Sequence, residues 1–288
     1  MQYIDAEFAV GQEVGMSQFI TDDGVKLFYE EYGQKNGKPV VLIHGLACTH
    51  EYFKEQIPLL AKEHRVIAYD LRGNGKSEKT FKHLTIPQCA KDLNGLIRFL
   101  GLEKTSLIAW SYGVNVVFSY AEQFGCDAID RIVLADNTPK MLCDADWKYG
   151  VFPDYQSMVA GFSFMASDWN TYVSGAVPSF FGEGAEPDRE EFDWVMSRFS
   201  DNDPGIILTM FVNNSTFDAR GGLPRINVPV LLTHGTLPSY CTKDIIEGIA
   251  GLMENSRVEE FYGGHLHMIQ DAAHFNNVVL DFLGQSDQ

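Results

Sequence analysis

Leu107-Ile108-Ala109-Trp110-Ser111-Tyr112-Gly113 decides the reading of this chain. An apolar run of strand character enters a small-x-Ser-x-Gly turn. A helical pattern starts at once, with Gly113, Val116, Val117, Tyr120, Ala121 and Phe124 on one face. So tight a strand-turn-helix requires small residues on both sides of the serine, and it pushes the Ser111 hydroxyl out past the sheet edge. Ala109 stands where glycine is usual. The helix start behind the serine supplies a free backbone N–H and the positive end of a helix dipole.

Runs of the same kind lie on both sides. Val40 to Ile43, Arg65 to Tyr69, Arg131 to Ala135 and Val228 to Thr233 are short, apolar and rich in β-branched residues. Such runs suit parallel strands buried on both faces. Ser17 to Thr21 and Lys26 to Tyr32 read as strands joined by a turn at Asp22-Asp23-Gly24. Helical patterns alternate with the strands. One opens on Thr85-Ile86-Pro87-Gln88, a capping-box spacing with proline in the first turn, and ends near Gly101. The last places Phe275, Val278, Val279, Phe282 and Leu283 on one face. The alternation predicts an α/β fold with a mostly parallel central sheet flanked by helices.

It breaks after Asn137, and the next buried strand starts near Val228. Roughly 90 residues intervene, too many for a plain loop. They are rich in aromatics such as Trp147, Phe162, Trp169, Phe180 and Phe199. The prediction is a core of residues 1–138 and 223–288 with a mainly helical cap, 139–222, inserted after the sixth strand. Most of these side chains are expected to pack internally. A minority facing the cleft would make a substrate pocket apolar. Their directions cannot be read from sequence, so no substrate-binding residue is assigned.

The 288 residues are 45% hydrophobic and carry a formal net charge of −17, with a pI of about 4.8. That balance argues against nucleic acid and against anionic membranes as partners. The cysteines Cys48, Cys89, Cys126, Cys143 and Cys241 are odd in number and none are paired as C-x-x-C. They suggest reduced thiols in a cytoplasmic protein rather than disulfides or a zinc site, and no metal is expected. Residues 1–15 carry acids and no Lys or Arg, unlike a secretory signal. No apolar run reaches the ~18 residues of a membrane span. Monomer and homodimer both stay open.

Three further motifs stand in order around the sharp strand-turn-helix at Ser111, the elbow of this chain. Ile43-His44-Gly45-Leu46 follows the third strand. Asp70-Leu71-Arg72-Gly73-Asn74-Gly75-Lys76-Ser77 follows the fourth. Gly263-Gly264-His265 precedes Met268-Ile269-Gln270 and Phe275-Asn276 near the end. With these the chain resembles the α/β-hydrolase superfamily over nearly its whole length. Its nearest likeness is the capped esterase and cofactor-free haloperoxidase-like branch. Gly73 to Ser77 also ends like a P-loop, but Asp70 stands where that motif needs its first glycine, so nucleotide binding is set aside.

The resemblance implies a serine nucleophile, Ser111, and a base, His265, whose ordinary pKa lies near working pH. It implies an oxyanion hole from the backbone N–H groups of Leu46 and Tyr112, and no cofactor. Epoxide hydrolases and haloalkane dehalogenases carry aspartate at the elbow, so Ser111 argues against both. His267 is given no chemistry, and His50, His64, His83 and His274 are read as surface or satisfied core residues. The third member departs from the family. The usual acid lies three residues after the glycine ending the seventh strand, and here Pro238 holds that place in His234-Gly235-Thr236-Leu237-Pro238. Asp244 looks like a helix-start residue. A minority of the family carries the acid after the sixth strand, where this chain has Asp136. Asp136 can then orient the imidazole. Alternatives are that Asp136 only caps a turn, or that a Ser-His dyad leans on a backbone carbonyl.

The expected activity is hydrolysis of a small-to-medium apolar ester, thioester or lactone through an acyl-serine. A cofactor-independent dioxygenase of a heteroaromatic substrate, using the His-Asp pair, is a second reading. A ligand-binding receptor or pseudoenzyme on a hydrolase scaffold is a third.

Overall fold

A computed structural model describes residues 15–285. The acidic N-terminal stretch read above for signal features lies, up to residue 14, outside the described residues. The strands are β1 (Gly15–Ile20), β2 (Lys26–Gly33), β3 (Lys38–Ile43), β4 (His64–Tyr69), β5 (Thr105–Trp110), β6 (Ile129–Ala135), β7 (Val230–Gly235) and β8 (Ser256–Phe261). Among the described residues they form one sheet in the order β1-β2-β4-β3-β5-β6-β7-β8. Only the β1/β2 and β2/β4 pairs are antiparallel. The α/β class and the parallel sheet are therefore as the sequence predicts. β5 and β7 are buried along their whole length, which is why they read as unbroken apolar runs.

The helices are α1 (Ile57–Leu60), α2 (Ile86–Phe99), α3 (Tyr112–Phe124), α4 (Tyr155–Ser167), α5 (Trp169–Phe180), α6 (Arg189–Ser200), α7 (Pro204–Thr216), α8 (Lys243–Ala250), α9 (His267–Gln270) and α10 (Ala272–Gly284). No helix of the described residues is long and apolar enough to cross a membrane. The cap of α2 forms only half of the expected box. Thr85 Oγ1 accepts from Gln88 N–H at 3.3 Å. The Thr85 N–H already donates to His83 O at 2.7 Å, so the Gln88 side chain turns to the buried carboxylate of Asp92 at 3.2 Å.

The long segment between β6 and β7 holds α4 to α7. Each opens on an aspartate whose side chain accepts first-turn N–H groups: Asp154, Asp168, Asp188 and Asp203. Part of the negative charge of the chain is thus spent on helix starts. The segment is tied to the core by side-chain amides, one half-buried and one pair fully buried. Asn213 Oδ1 accepts from Ile86 N–H at 2.7 Å, and Asn115 Nδ2 donates to Asn214 Oδ1 at 2.8 Å. Trp147, Phe180, Phe181 and Phe199 are buried, as ordinary packing predicts, whereas Tyr155 and Phe164 are exposed.

The Asp70 turn is a brace and leaves no cradle for phosphate. Asp70 accepts from the backbone N–H and Nδ1 of His50, both at 2.8 Å, and from Lys76 N–H at 2.7 Å. A Cβ on Gly75 (φ 50°) would lie 2.1 Å from Asp70 Oδ2. Arg72 is fully buried and bridges Asp92 and Asp23. His50 is a satisfied core histidine that carries charge. Its Nε2 lies 3.3 Å from Glu30, opposite Asp70. Burial alone would lower its pKa, but hydrogen bonds to Asp70 and Glu30 outweigh burial and raise it to about 9. The hydrogen bond from His50 in turn draws Glu30 down to about 2.

A pH signature follows. The His50 contribution is complete below its ordinary 6.5 and is lost as pH rises through about 9. The Glu30 contribution is complete above its ordinary 4.5 and is lost as pH falls towards about 2. Breaking a buried ion pair costs about 3–5 kcal/mol. Urea unfolding of His50→Gln is expected to show a loss of that order at pH 6. The wild type should lose its advantage over the variant as pH approaches 9.

Candidate active site

The strand order reverses direction between β3 and β5. In open α/β sheets the crevice outside the carboxyl ends at such a switch point is where ligands sit. Ser111 follows β5 and the Gly45-Leu46 loop follows β3, so topology alone brings them together. A Cβ on Gly45 would lie 3.0 Å from Ser111 Cβ. One on Gly113 would lie 2.4 Å from Ile43 O, so only glycine lets α3 settle on β3 this closely. Ala109 is fully buried between Ile43 and Leu134, and the sheet accepts its methyl group.

Ser111 has φ 54° and ψ −122°, a left-handed backbone that non-glycine residues seldom adopt. Asp136, at the end of β6, has φ 54° as well. Such residues cost about 1–3 kcal/mol each and persist only where surrounding bonds impose them. Here the Ser111 N–H donates to Ala135 O at 2.9 Å and the Asp136 N–H to Thr233 O at 3.0 Å. Asn137 Nδ2 donates to Ser111 O at 2.7 Å, joining the two strained corners.

His265 lies between them. Its Nε2 is 2.9 Å from Ser111 Oγ, and its Nδ1 is hydrogen-bonded to Asp136 Oδ2. A carboxylate can only accept, so Nδ1 carries the proton and Nε2 presents its lone pair to the serine. Asp136 is 1% exposed, and its Oδ1 has no hydrogen-bond partner among the described residues. The imidazole is walled by the rings of Trp110 at 5.1 Å, Tyr240 at 5.1 Å and Phe180 at 5.7 Å. Trp110 Nε1 also donates to His265 O at 2.8 Å, fixing the backbone of the histidine.

Tyr112 is the first residue of α3, so its N–H has no acceptor within the helix. The Leu46 loop is braced by His44. Burial pushes that imidazole down to about 4, so it is neutral. Its Nδ1 donates to Gly45 O at 2.8 Å, and its Nε2 accepts from Leu71 N–H at 2.9 Å.

Of the residues singled out from sequence, Ser111, His265 and Asp136 come together, with Leu46 and Tyr112 adjoining. The others do not join them. Pro238 holds no carboxylate and its carbonyl accepts from Glu183 N–H at 3.0 Å. Asp244 is exposed in the first turn of α8. His267, held neutral near 4 by burial, engages Thr233 Oγ1 at 2.9 Å and Gly264 O at 3.2 Å. The Cys48 thiol is pushed far up by burial and donates to Leu46 O at 3.2 Å, so it is no thiolate. Sequence reasoning missed Asn137, Trp110, Phe180 and Tyr240. Only Asn137 had a local signal, its place beside Asp136 at the end of a buried strand.

The family model described as alpha/beta hydrolase fold matches residues 38–276. A non-heme chloroperoxidase of Streptomyces lividans is 28% identical over 258 residues, covering 86% of this chain and 92% of that protein. The crystal structure of a bromoperoxidase from Bacillus anthracis superposes with a TM-score of 0.87 at 26% identity, covering 95% of this chain and all of that one. An esterase (EaEST) from Exiguobacterium antarcticum also gives a TM-score of 0.87, at 24% identity over 94% of this chain and 100% of that chain, and shows the same fold.

Proposed function

The chain belongs to the alpha/beta hydrolase family, and on that premise we propose that it is a serine hydrolase acting on a small-to-medium apolar ester, thioester or lactone. The observation that carries this reading is the continuous relay from Asp136 through His265 to Ser111 at the switch point. Ser111 Oγ attacks the acyl carbon as His265 Nε2 takes its proton. The Leu46 and Tyr112 N–H groups hold the oxyanion, each worth about 10²-fold or more in rate. His265 then protonates the leaving oxygen or sulfur, and the acyl group stays on Ser111. Water, deprotonated by His265, releases the acid and restores the serine. Asp136 keeps the proton on Nδ1 and offsets the imidazolium charge.

The aromatic walls at the imidazole support an apolar acyl group, and we assign residues 139–222 the role of a lid over a core of 1–138 and 223–288. Hydrogen peroxide in place of water would release a peracid from the same acyl-serine. That links this reading to relatives named for halide oxidation.

p-Nitrophenyl esters from acetate to octanoate test the proposal. A burst of p-nitrophenol equal to the enzyme concentration is expected, with the acyl mass on the Ser111 peptide after acid quench. No burst and no turnover across the series would overturn it.

A further inference from the structure

The loop that carries Leu46 is fixed from two sides, and one side is the inserted segment. Ala47 has φ 57°, a conformation sparsely populated by non-glycine residues, so some neighbour must impose it. From the core, His44 holds Gly45, and His50 is anchored on Asp70. From the segment, Asn202 stands at the corner between α6 and α7 and is 8% exposed. Its Nδ2 lies 2.7 Å from Ala47 O, 3.0 Å from Phe199 O and 3.1 Å from Arg198 O. Three carbonyl oxygens around one atom require the amide nitrogen there, so Asn202 is the donor. Arg198 Nε meets Glu51 at 3.0 Å across the same junction, beside a cavity of about 260 Å³ between the two elements.

We propose that Asn202 is a positioning residue that sets the oxyanion loop from within the inserted helices. By holding Ala47 O it fixes the Ala47–Cys48 peptide and with it the left-handed backbone of Ala47, and so sets, one residue back, the direction of the Leu46 N–H. The inserted segment then acts in the chemistry as well as in covering the cleft. A shift of the α6–α7 corner changes the oxyanion hole without touching Ser111 or His265. This inference rests on the serine hydrolase reading.

The test is Asn202→Asp, which keeps shape and removes the donor, with Asn202→Ala beside it. kcat and KM are read on p-nitrophenyl butyrate, and Ki for an alkyl trifluoromethyl ketone, whose hemiketal oxygen occupies the oxyanion site. Side chains that act without contacting ligand change coupling by about 2- to 30-fold. A fall of that size in kcat is expected, matched by an equal weakening of Ki with KM nearly unchanged, beyond the fall in melting temperature that loss of the buried hydrogen bonds brings by itself. A side chain with a merely structural role would move the melting temperature and KM and leave Ki alone, which would overturn the proposal. So would unchanged kcat and Ki. If neither Asn202 variant folds, Arg198→Gln loosens the same junction from a half-buried position and must show the same paired loss in kcat and Ki. Ser111→Ala is run in parallel. Full activity in Ser111→Ala defeats the serine mechanism and this inference with it, whereas Ser111-dependent activity with unaltered Asn202 variants defeats only the coupling.

Discussion

Ser111→Ala is expected to reduce ester hydrolysis by about 10⁵-fold or more, because removing the nucleophile of a serine triad costs about as much as removing the whole unit. Folding should be spared. Alanine meets the same left-handed backbone at φ 54°, and the bonds that impose it, from Ser111 N–H to Ala135 O and from the Asn137 side chain to Ser111 O, use only the main chain of residue 111. Initial rates on p-nitrophenyl butyrate, with circular dichroism as the control, give the answer. The same variant separates the hydrolase from a cofactor-free oxygenase built on His265 and Asp136. In the oxygenase the serine is secondary, so Ser111→Ala would keep consuming oxygen while His265→Ala would not.

Asp136→Asn is expected to lower kcat by about 10³–10⁴-fold. An amide has two ways to face His265 Nδ1, and both fail. With its nitrogen towards the ring it donates to Nδ1, the imidazole proton moves to Nε2, and no lone pair is left for Ser111. With its oxygen towards the ring the tautomer survives, but the charge that offsets the imidazolium is gone. The NH₂ then occupies the place of Oδ1, which has no partner among the described residues. Stopped-flow acylation rates of wild type and variant measure the loss. Activity within tenfold of wild type would remove Asp136 from the triad and point to a dyad steadied by a backbone carbonyl.

Much of this was legible in the chain. Strands buried on both faces are continuous apolar runs, so β3 to β7 could be read with ends off by a residue or two. The elbow was legible because its sterics demand small residues at fixed spacing. Asp136 was reached by elimination, through the missing carboxylate at Pro238, and its left-handed backbone has no sequence signature. His50 illustrates a different gap. Nothing local distinguishes a neutral core histidine from a charged one, because its partners Glu30 and Asp70 lie about twenty residues away on either side. Asn202 was out of reach for the same reason, since its acceptor Ala47 lies 155 residues earlier. Hydrophobic periodicity reports which face of an element is buried. It carries no information about which single amide reaches across the fold.

The placement of the carboxylate at the end of β6 has an evolutionary consequence. Asp136 is followed directly by Asn137, Thr138 and Pro139, the root from which the inserted helices grow. On the proposed mechanism, a lineage that lengthens or re-aims those helices pulls on the residue that would orient the base, so novelty in this segment is taxed where it joins. The turn after β7 bears a lighter burden. Among the described residues Thr236 to Tyr240 give the His265 ring no hydrogen bond; Leu237 N–H holds Gly263 O at 2.9 Å and the Tyr240 ring walls the imidazole, so the remaining side chains of this stretch can change while those two contacts are kept. Divergence in preference among descendants of this chain should therefore accumulate first after β7 and last at the root of the insertion.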